Sequence, residues 1–168
     1  MPTIRWRSWV AAPPEVAFAF FDDPANLNRI MPPPISIRAV RVEPWPPARG
    51  TEIEFSYGIG PVRRRWLVRY VEHVPNERIV DETLSGPMRR FHHSHTFTPA
   101  GNGGTWIEDH VDFHVGPDSV LGRVADGAAG LAMRAVFVWR HARQRRLIKP
   151  RPRPRRPTDP PSAGTAPR

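Results

Sequence analysis

The chain has 168 residues, 39% of them hydrophobic, no cysteine and a formal net charge of +9. That length holds one domain with a real core, and the missing cysteine excludes disulfides, thiolate nucleophiles and cysteine metal sites. No apolar run reaches the roughly 18 residues of a membrane span, and the N-terminal MPTIRWRSWV has no apolar stretch of signal-peptide length, so a cytoplasmic protein is expected.

The charge is concentrated at one end. Residues 149–168, KPRPRPRRPTDPPSAGTAPR, hold seven prolines, six Lys/Arg and one Asp, and so contribute +5 of the +9. Such a segment cannot bury a core and is expected to be a disordered basic tail, which leaves residues 1–148 as the domain. The simpler expectation is a solvated tail with no specific nucleic-acid partner. Weak contact with an anionic surface is the alternative.

Residues 3–10 alternate, Ile4, Trp6 and Ser8 on one face and Arg5 and Arg7 on the other, which predicts a strand. PPEVAFAFFDD then opens a short helix on its prolines. Asp23-Pro24 is an N-cap followed by proline at the first helical position, so a second short helix runs to about Ile30 and stops at MPPP. Strands follow to about residue 115. Thr51, Ile53, Phe55 and Tyr57 share one face, as do Trp66, Val68 and Tyr70, with turns at Gly58-Ile-Gly-Pro61, Pro75-Asn76 and residues 101–104. Gly86-Pro87 reads as a bulge or strand break. Residues 118–148 form the last element, a helix whose Leu121, Val124, Ala128, Leu131, Ala132, Ala135, Val136 and Trp139 recur at helical spacing. That stripe is taken as the face turned to the sheet. About seven antiparallel strands, two short helices and one long one give an α+β architecture with room for a ligand between sheet and helix.

FHHSHTF, residues 91–97, carries three of the seven histidines. Alternation puts Phe91, His93, His95 and Phe97 on one face, the one expected inside. In TWIEDHVDFHV the apolar face is Thr105, Ile107, Asp109, Val111 and Phe113, while His110 and His114 point to solvent. A hairpin joining the two strands sets Asp109 opposite either His93 or His95, close enough to interact. Three readings compete. Asp109 holds a histidine in one tautomer within a pocket wall, because buried polar groups are normally paired. Or a His–Asp pair is a general base. Or His-x-His with a carboxylate is a metal set. The pocket wall is favoured and no metal or cofactor is expected. Asp81 and Glu82 lie on a strand whose inward face alternation does not assign, since Ile79 conflicts with Val80 and Leu84. The Asp22-Asp23 pair is read as capping.

PPEVAFAFFDDPANLNRIMPP, Gly50-Thr51, Trp66, RIVDETLSGPM, FHHSHTF and GTWIEDHVDFHVGP, in that order, resemble the START/Bet v 1-like superfamily, which includes polyketide cyclases and plant carriers of hydrophobic ligands. The resemblance covers about residues 3–146. It implies a helix-grip fold, a curved antiparallel sheet wrapped around the C-terminal helix with a deep hydrophobic cavity between them. It does not imply a reaction, because fold does not fix function. The expected function is binding of a hydrophobic small molecule such as a lipid, a quinone or a polyketide-like ring. The alternative is a cyclase/dehydratase-like or hydrolase-like enzyme using the His–Asp pair. The expected ligand wall is Phe55, Tyr57, Trp66, Tyr70, Phe91, His93, His95, Asp109, Val111, Phe113, Leu131 and Ala135, with His93, His95 and Asp109 the candidate catalytic groups. Cutting the chain after Lys149 should leave the melting temperature almost unchanged; a large drop would show that the tail packs on the domain.

Overall fold

The structure is a computed structural model and describes residues 2–150. The basic segment read from residue 149 onward lies outside the described residues from 151 on. Strands β1 (Thr3–Val10), β2 (Ile35–Glu43), β3 (Glu52–Ile59), β4 (Val62–Val74), β5 (Arg78–Ser85), β6 (Arg90–Pro99) and β7 (Thr105–His114) form one antiparallel sheet in the order β1-β7-β6-β5-β4-β3-β2. Consecutive strands from β2 to β7 pair as neighbours, and β1 closes the sheet by pairing with β7. Helices α1 (Pro14–Asp22) and α2 (Leu27–Ile30), separated by a 3₁₀ turn at Pro24–Asn26, carry the chain from β1 at one edge to β2 at the other. Asp23 caps that turn by accepting from the Ala25 N–H at 3.0 Å, while Asp22 pairs with His73 at 2.7 Å instead of capping.

Helix α3 (Val120–Leu147) lies across the concave face of the sheet. The register of β2 shifts between Ala39 and Arg41, and that of β4 near Val68 and between Tyr70 and Glu72. Such extra residues bend a strand and raise its twist, which suits a sheet that curls around a helix. The break at Gly86 has a second cause. Its φ is +154°, and a Cβ there would lie 2.3 Å from Trp66 Cδ1. The glycine leaves room for the Trp66 indole to approach the backbone and donate to Thr83 Oγ1 at 2.9 Å.

The interior has two apolar clusters. One gathers Val10, Phe18, Ile37, Ile53, Phe55, Val68, Tyr70, Ile79, Phe97, Ile107 and Ile148. The other gathers Ile4, Phe91, Val111, Phe113 and Phe137. Along each inner strand the two meet at a polar stretch: Ser8 between Ile4 and Val10, His93 and His95 between Phe91 and Phe97, Asp109 between Ile107 and Val111.

The sheet-facing side of α3 differs from the one expected. Leu121, Val124 and Leu131 are 78%, 66% and 73% exposed, and Ala128, Ala132, Ala135 and Trp139 are exposed too. The buried positions are Gly122, Asp126, Phe137, Arg140, His141 and Gln144, helped by Met133 and Ala129. They recur at helical spacing as well, but four of them are polar. Apolar periodicity chose the wrong face because the inward stripe pairs with polar groups of the sheet. Its first anchor is Asp126, whose carboxylate accepts from the Val115 N–H and pairs with His114 Nδ1, both at 2.7 Å. His114 therefore turns to the helix, not to solvent.

The start of α3 is packed backbone on backbone. A Cβ on Gly122 would lie 1.7 Å from the Pro117 carbonyl oxygen, whereas one on Gly127 would meet nothing within 4 Å. Gly122→Ala should therefore destabilise by about 1–3 kcal/mol through overpacking. Gly127→Ala, in an exposed helical turn, should stabilise by about 0.4–1 kcal/mol by restricting the unfolded chain. Chemical denaturation of both variants checks the pair.

Candidate functional site

The β6–β7 hairpin sets the register. Asp109 stands opposite His95, and His93 reaches it diagonally. Only 2% of Asp109 is exposed, so its carboxylate must be satisfied internally. His93 Nε2 donates to Oδ1 at 2.8 Å. His95 Nδ1 lies 2.7 Å from the same oxygen and His141 Nε2 lies 2.8 Å from Oδ2, both off the direction of a straight N–H···O bond. His141 comes from α3. Gln144 Nε2 lies 2.9 Å from its Nδ1 and 2.8 Å from Ser8 Oγ, which is itself 2.7 Å from His141 Nδ1. An amide nitrogen only donates, so Nδ1 of His141 accepts, and its ring proton sits on Nε2, facing Asp109. One buried carboxylate thus joins β6, β7, β1 and α3.

Burial alone would push Asp109 upward. The imidazoles of His95, His141 and His93 outweigh it and hold the carboxyl well below the usual range. Burial, with His95 beside it, pulls His93 down to about 3 against the attraction of Asp109, and burial lowers His95 as well. Both rings are neutral at pH 7. Because His93 donates through Nε2, its Nδ1 is a bare acceptor, 3.8 Å from Asp81 Oδ2 on β5.

A cavity of about 220 Å³ lies between this group, the inner strands and the helices. Its walls include Phe20, Phe21, Leu27, Ile30, Met31, Ile37, Ile53, Phe55, Tyr57, Trp66, Val68, Tyr70, Met88, Phe91, Met133, Val136 and Phe137, and its polar side chains include Asp81, His93, His95 and Arg140. Of the residues expected from sequence, Phe55, Tyr57, Trp66, Tyr70, Phe91, His93 and His95 line it. Asp109 sits behind the imidazoles. Val111 and Phe113 fill the second apolar cluster, and Leu131 and Ala135 point away on the outer face of α3. The sequence pattern does not assign Asp81, Arg140, His141 or Gln144 to the site. Ile79 and Val80 are both buried, so apolar character does not mark the inner face of β5; its unbroken register with β6, Ile79 opposite His95 and Asp81 opposite His93, puts Asp81 on the inner face. The helix residues were hidden because the apolar stripe drew attention to the other face. The available signal is their spacing: Arg140 and His141 follow Phe137 by three and four residues, and Gln144 precedes Ile148 by four.

Asp81, His93 and His95 are the described residues that could hold a metal ion, one ligand atom of each lying within 4.8 Å of the others. Two histidines and one carboxylate suit a divalent transition metal, and Asp109 would orient His93 from behind. The same chamber, however, holds the Arg140 guanidinium, whose charge already bears on Asp81, His93 and His95. A dication would add to an uncompensated positive charge, so the donor set fits a metal poorly and no chemistry is derived through one.

Asp81 itself is a buried carboxyl in the cavity wall. Burial pushes it up to about 7, Arg140 opposes this, and Asp109 and Glu82 add to it. The unfolded chain releases this proton near 4, so the native state holds it over a window from about pH 4 to 7. Stability from this group is therefore full below pH 4 and lost as pH rises through 7. Asp81→Asn should gain on the wild type across that window and level off above it, the difference reaching on the order of 4 kcal/mol. Denaturation curves between pH 4 and 8.5 measure it; a constant difference would contradict the assignment.

Residues 10–139 match the family model for polyketide cyclase / dehydrase and lipid transport. No curated protein matches the sequence. Among solved structures, the chain is similar to a protein from Rhodobacter sphaeroides, 19% identical over 87% of this chain and 91% of that one, with a TM-score of 0.68. A START superfamily protein from Mycobacterium smegmatis is 14% identical over 86% and 98% of the two chains, TM-score 0.62. The di-domain ARO/CYC BexL from the BE-7585A biosynthetic pathway is 18% identical, TM-score 0.62, the match covering 85% of this chain and 46% of that one. At these identities the likeness establishes the fold, a seven-stranded sheet gripping a C-terminal helix. Among the described residues no helix is long and apolar enough to cross a membrane. The family-model match over most of the chain, with the START-like fold, makes this protein a member of the polyketide cyclase / dehydrase and lipid transport family.

Proposed function

We propose that the protein binds a mostly apolar small molecule in the cavity between the sheet and α3, with the polar end of that molecule turned to Asp81, His93 and His95. One observation carries the reading. A chamber walled by aromatic and aliphatic side chains holds a few convergent polar groups at one level, the usual composition of a ligand site. The family description, which includes lipid transport, supports it. Asp109 works at one remove: by fixing the His93 tautomer it presents a bare ring nitrogen to whatever enters.

A second reading, acid–base catalysis of the cyclase kind, is favoured by Asp81. A carboxyl held near neutrality, with an imidazole acceptor 3.8 Å away, is suited to giving and taking a proton at pH 7. The proton carrier would then be Asp81 and not the His93–Asp109 pair, because Asp109 stays ionised and His93 stays neutral.

Native mass spectrometry of freshly purified protein, with solvent extraction of what leaves it, tests the binding. The expected result is a co-purifying hydrophobic compound, or uptake of the neutral fluorophore N-phenyl-1-naphthylamine that Met133→Trp abolishes by filling the chamber. The absence of both adduct and uptake would refute the reading. With an extracted ligand in hand, Asp81→Asn separates the two roles. A carrier keeps binding within a few-fold, whereas an enzyme also loses about a hundredfold or more in turnover.

A further inference from the structure

Among the described residues, the charged groups of the chamber are matched except one. Asp109 has its three imidazoles, one on Oδ2 and two on Oδ1. The surface arginines Arg7, Arg41, Arg65 and Arg69 each meet a glutamate within hydrogen-bond reach. Arg140 is 8% exposed and lines the cavity, yet among the described residues no carboxylate comes within salt-bridge distance of it and no side chain or carbonyl accepts from it. Its guanidinium lies over the Phe137 ring at 4.7 Å, and Asp109 and Asp81 act on it only at longer range. The oxygens of Asp109 cannot turn to it without releasing a histidine.

A guanidinium is a planar fork of N–H donors, and that of Arg140 opens onto the cavity with no acceptor among the described residues. The acceptor that matches it is planar, anionic and has two oxygens. We infer that the cavity takes an amphiphilic monocarboxylic acid, its hydrocarbon or aryl body among Phe55, Trp66 and Phe91 and its carboxylate paired with the Arg140 guanidinium. This rests on the cavity-binding reading above and sharpens it from a hydrophobic molecule to an acid. The same geometry explains why an arginine is tolerated on the inward face of α3: the ligand completes an ion pair whose protein half is already in place. Aliphatic and aryl acids share this head group, and the body of the cavity would choose between them.

Displacement of N-phenyl-1-naphthylamine at pH 6, where Asp81 keeps its proton and both acids are ionised, tests the inference, with decanoate against 1-decanol for an aliphatic body and 2-naphthoate against 2-naphthalenemethanol for an aryl one. In the wild type, at least one acid should displace the probe at about ten- to hundredfold lower concentration than its matched alcohol, the scale of hydrogen bonds to a charged partner. Arg140→Gln should erase that preference, acid and matched alcohol then displacing the probe within about two- to threefold of each other, and Arg140→Lys, which keeps the charge but loses the fork, should retain part of it. If the probe binds and acid and alcohol compete equally in the wild type, the inference is overturned and cavity binding stands. An acid preference that survives Arg140→Gln also overturns it, by placing the anion elsewhere. Should Arg140→Gln fail to fold, the wild-type ratio and Arg140→Lys decide alone: an unchanged preference in the lysine variant counts against the fork. If the probe never enters, the cavity reading fails and the inference with it.

Discussion

The interior of this protein is organised by one buried carboxylate. Asp109 is ionised in a place where water does not reach, and an unpaired charge there would cost several kcal/mol. Everything at its level answers that requirement. His93 and His95 arrive from the neighbouring strand, His141 from the helix, and Ser8 and Gln144 hold His141 in turn. The set is therefore structural and functional together. It closes α3 onto the sheet, and it leaves two neutral rings facing a chamber.

The two apolar clusters gain their separation from the same band. Above and below it the inner faces of β6 and β7 are packed with phenylalanine, isoleucine and valine. At the band itself polar side chains must reach one another, and they cannot also fill volume as hydrocarbon does. A void next to such a band is the natural place for a ligand, because it has apolar walls for the body of a molecule and directed groups for its end. Asp81 and Arg140 sit in that void with opposite unfinished business: the first is neutralised by holding a proton, the second keeps its charge and lacks a counter-ion.

Much of this was legible in the sequence. Period-two alternation placed the histidines inside, and a short turn at 101–104 set Asp109 opposite one of them; the register shows that one to be His95. Element order, with seven strands before one long helix, marked the fold. What was not legible had physical causes. The facing of α3 depends on which stripe finds partners, and partners lie far away in sequence: His141 meets Ser8 across 133 residues. Asp81 shares the inner face of β5 with Ile79, which the buried Val80 beside it disguises. Hydrophobic periodicity, which normally marks the buried side, assigns Leu131 and Ala135 to the ligand wall. Here the rule fails, since the buried side is the polar one.

That inversion bears on how the chain reaches its structure. Rotating α3 by half a turn would cover Leu121, Val124 and Leu131 and bury more hydrocarbon, but it would leave Asp109 facing alkyl groups. The competing arrangement is cheap in hydrophobic terms and forbidden in electrostatic ones. Local and global preferences thus disagree along this helix, a form of frustration that natural sequences mostly avoid. The native orientation of α3 is therefore tied to the β6–β7 hairpin that presents an ionised Asp109. The last helix is in this sense addressed by the sheet: its specificity comes from a few polar contacts and not from the greasier of its two sides.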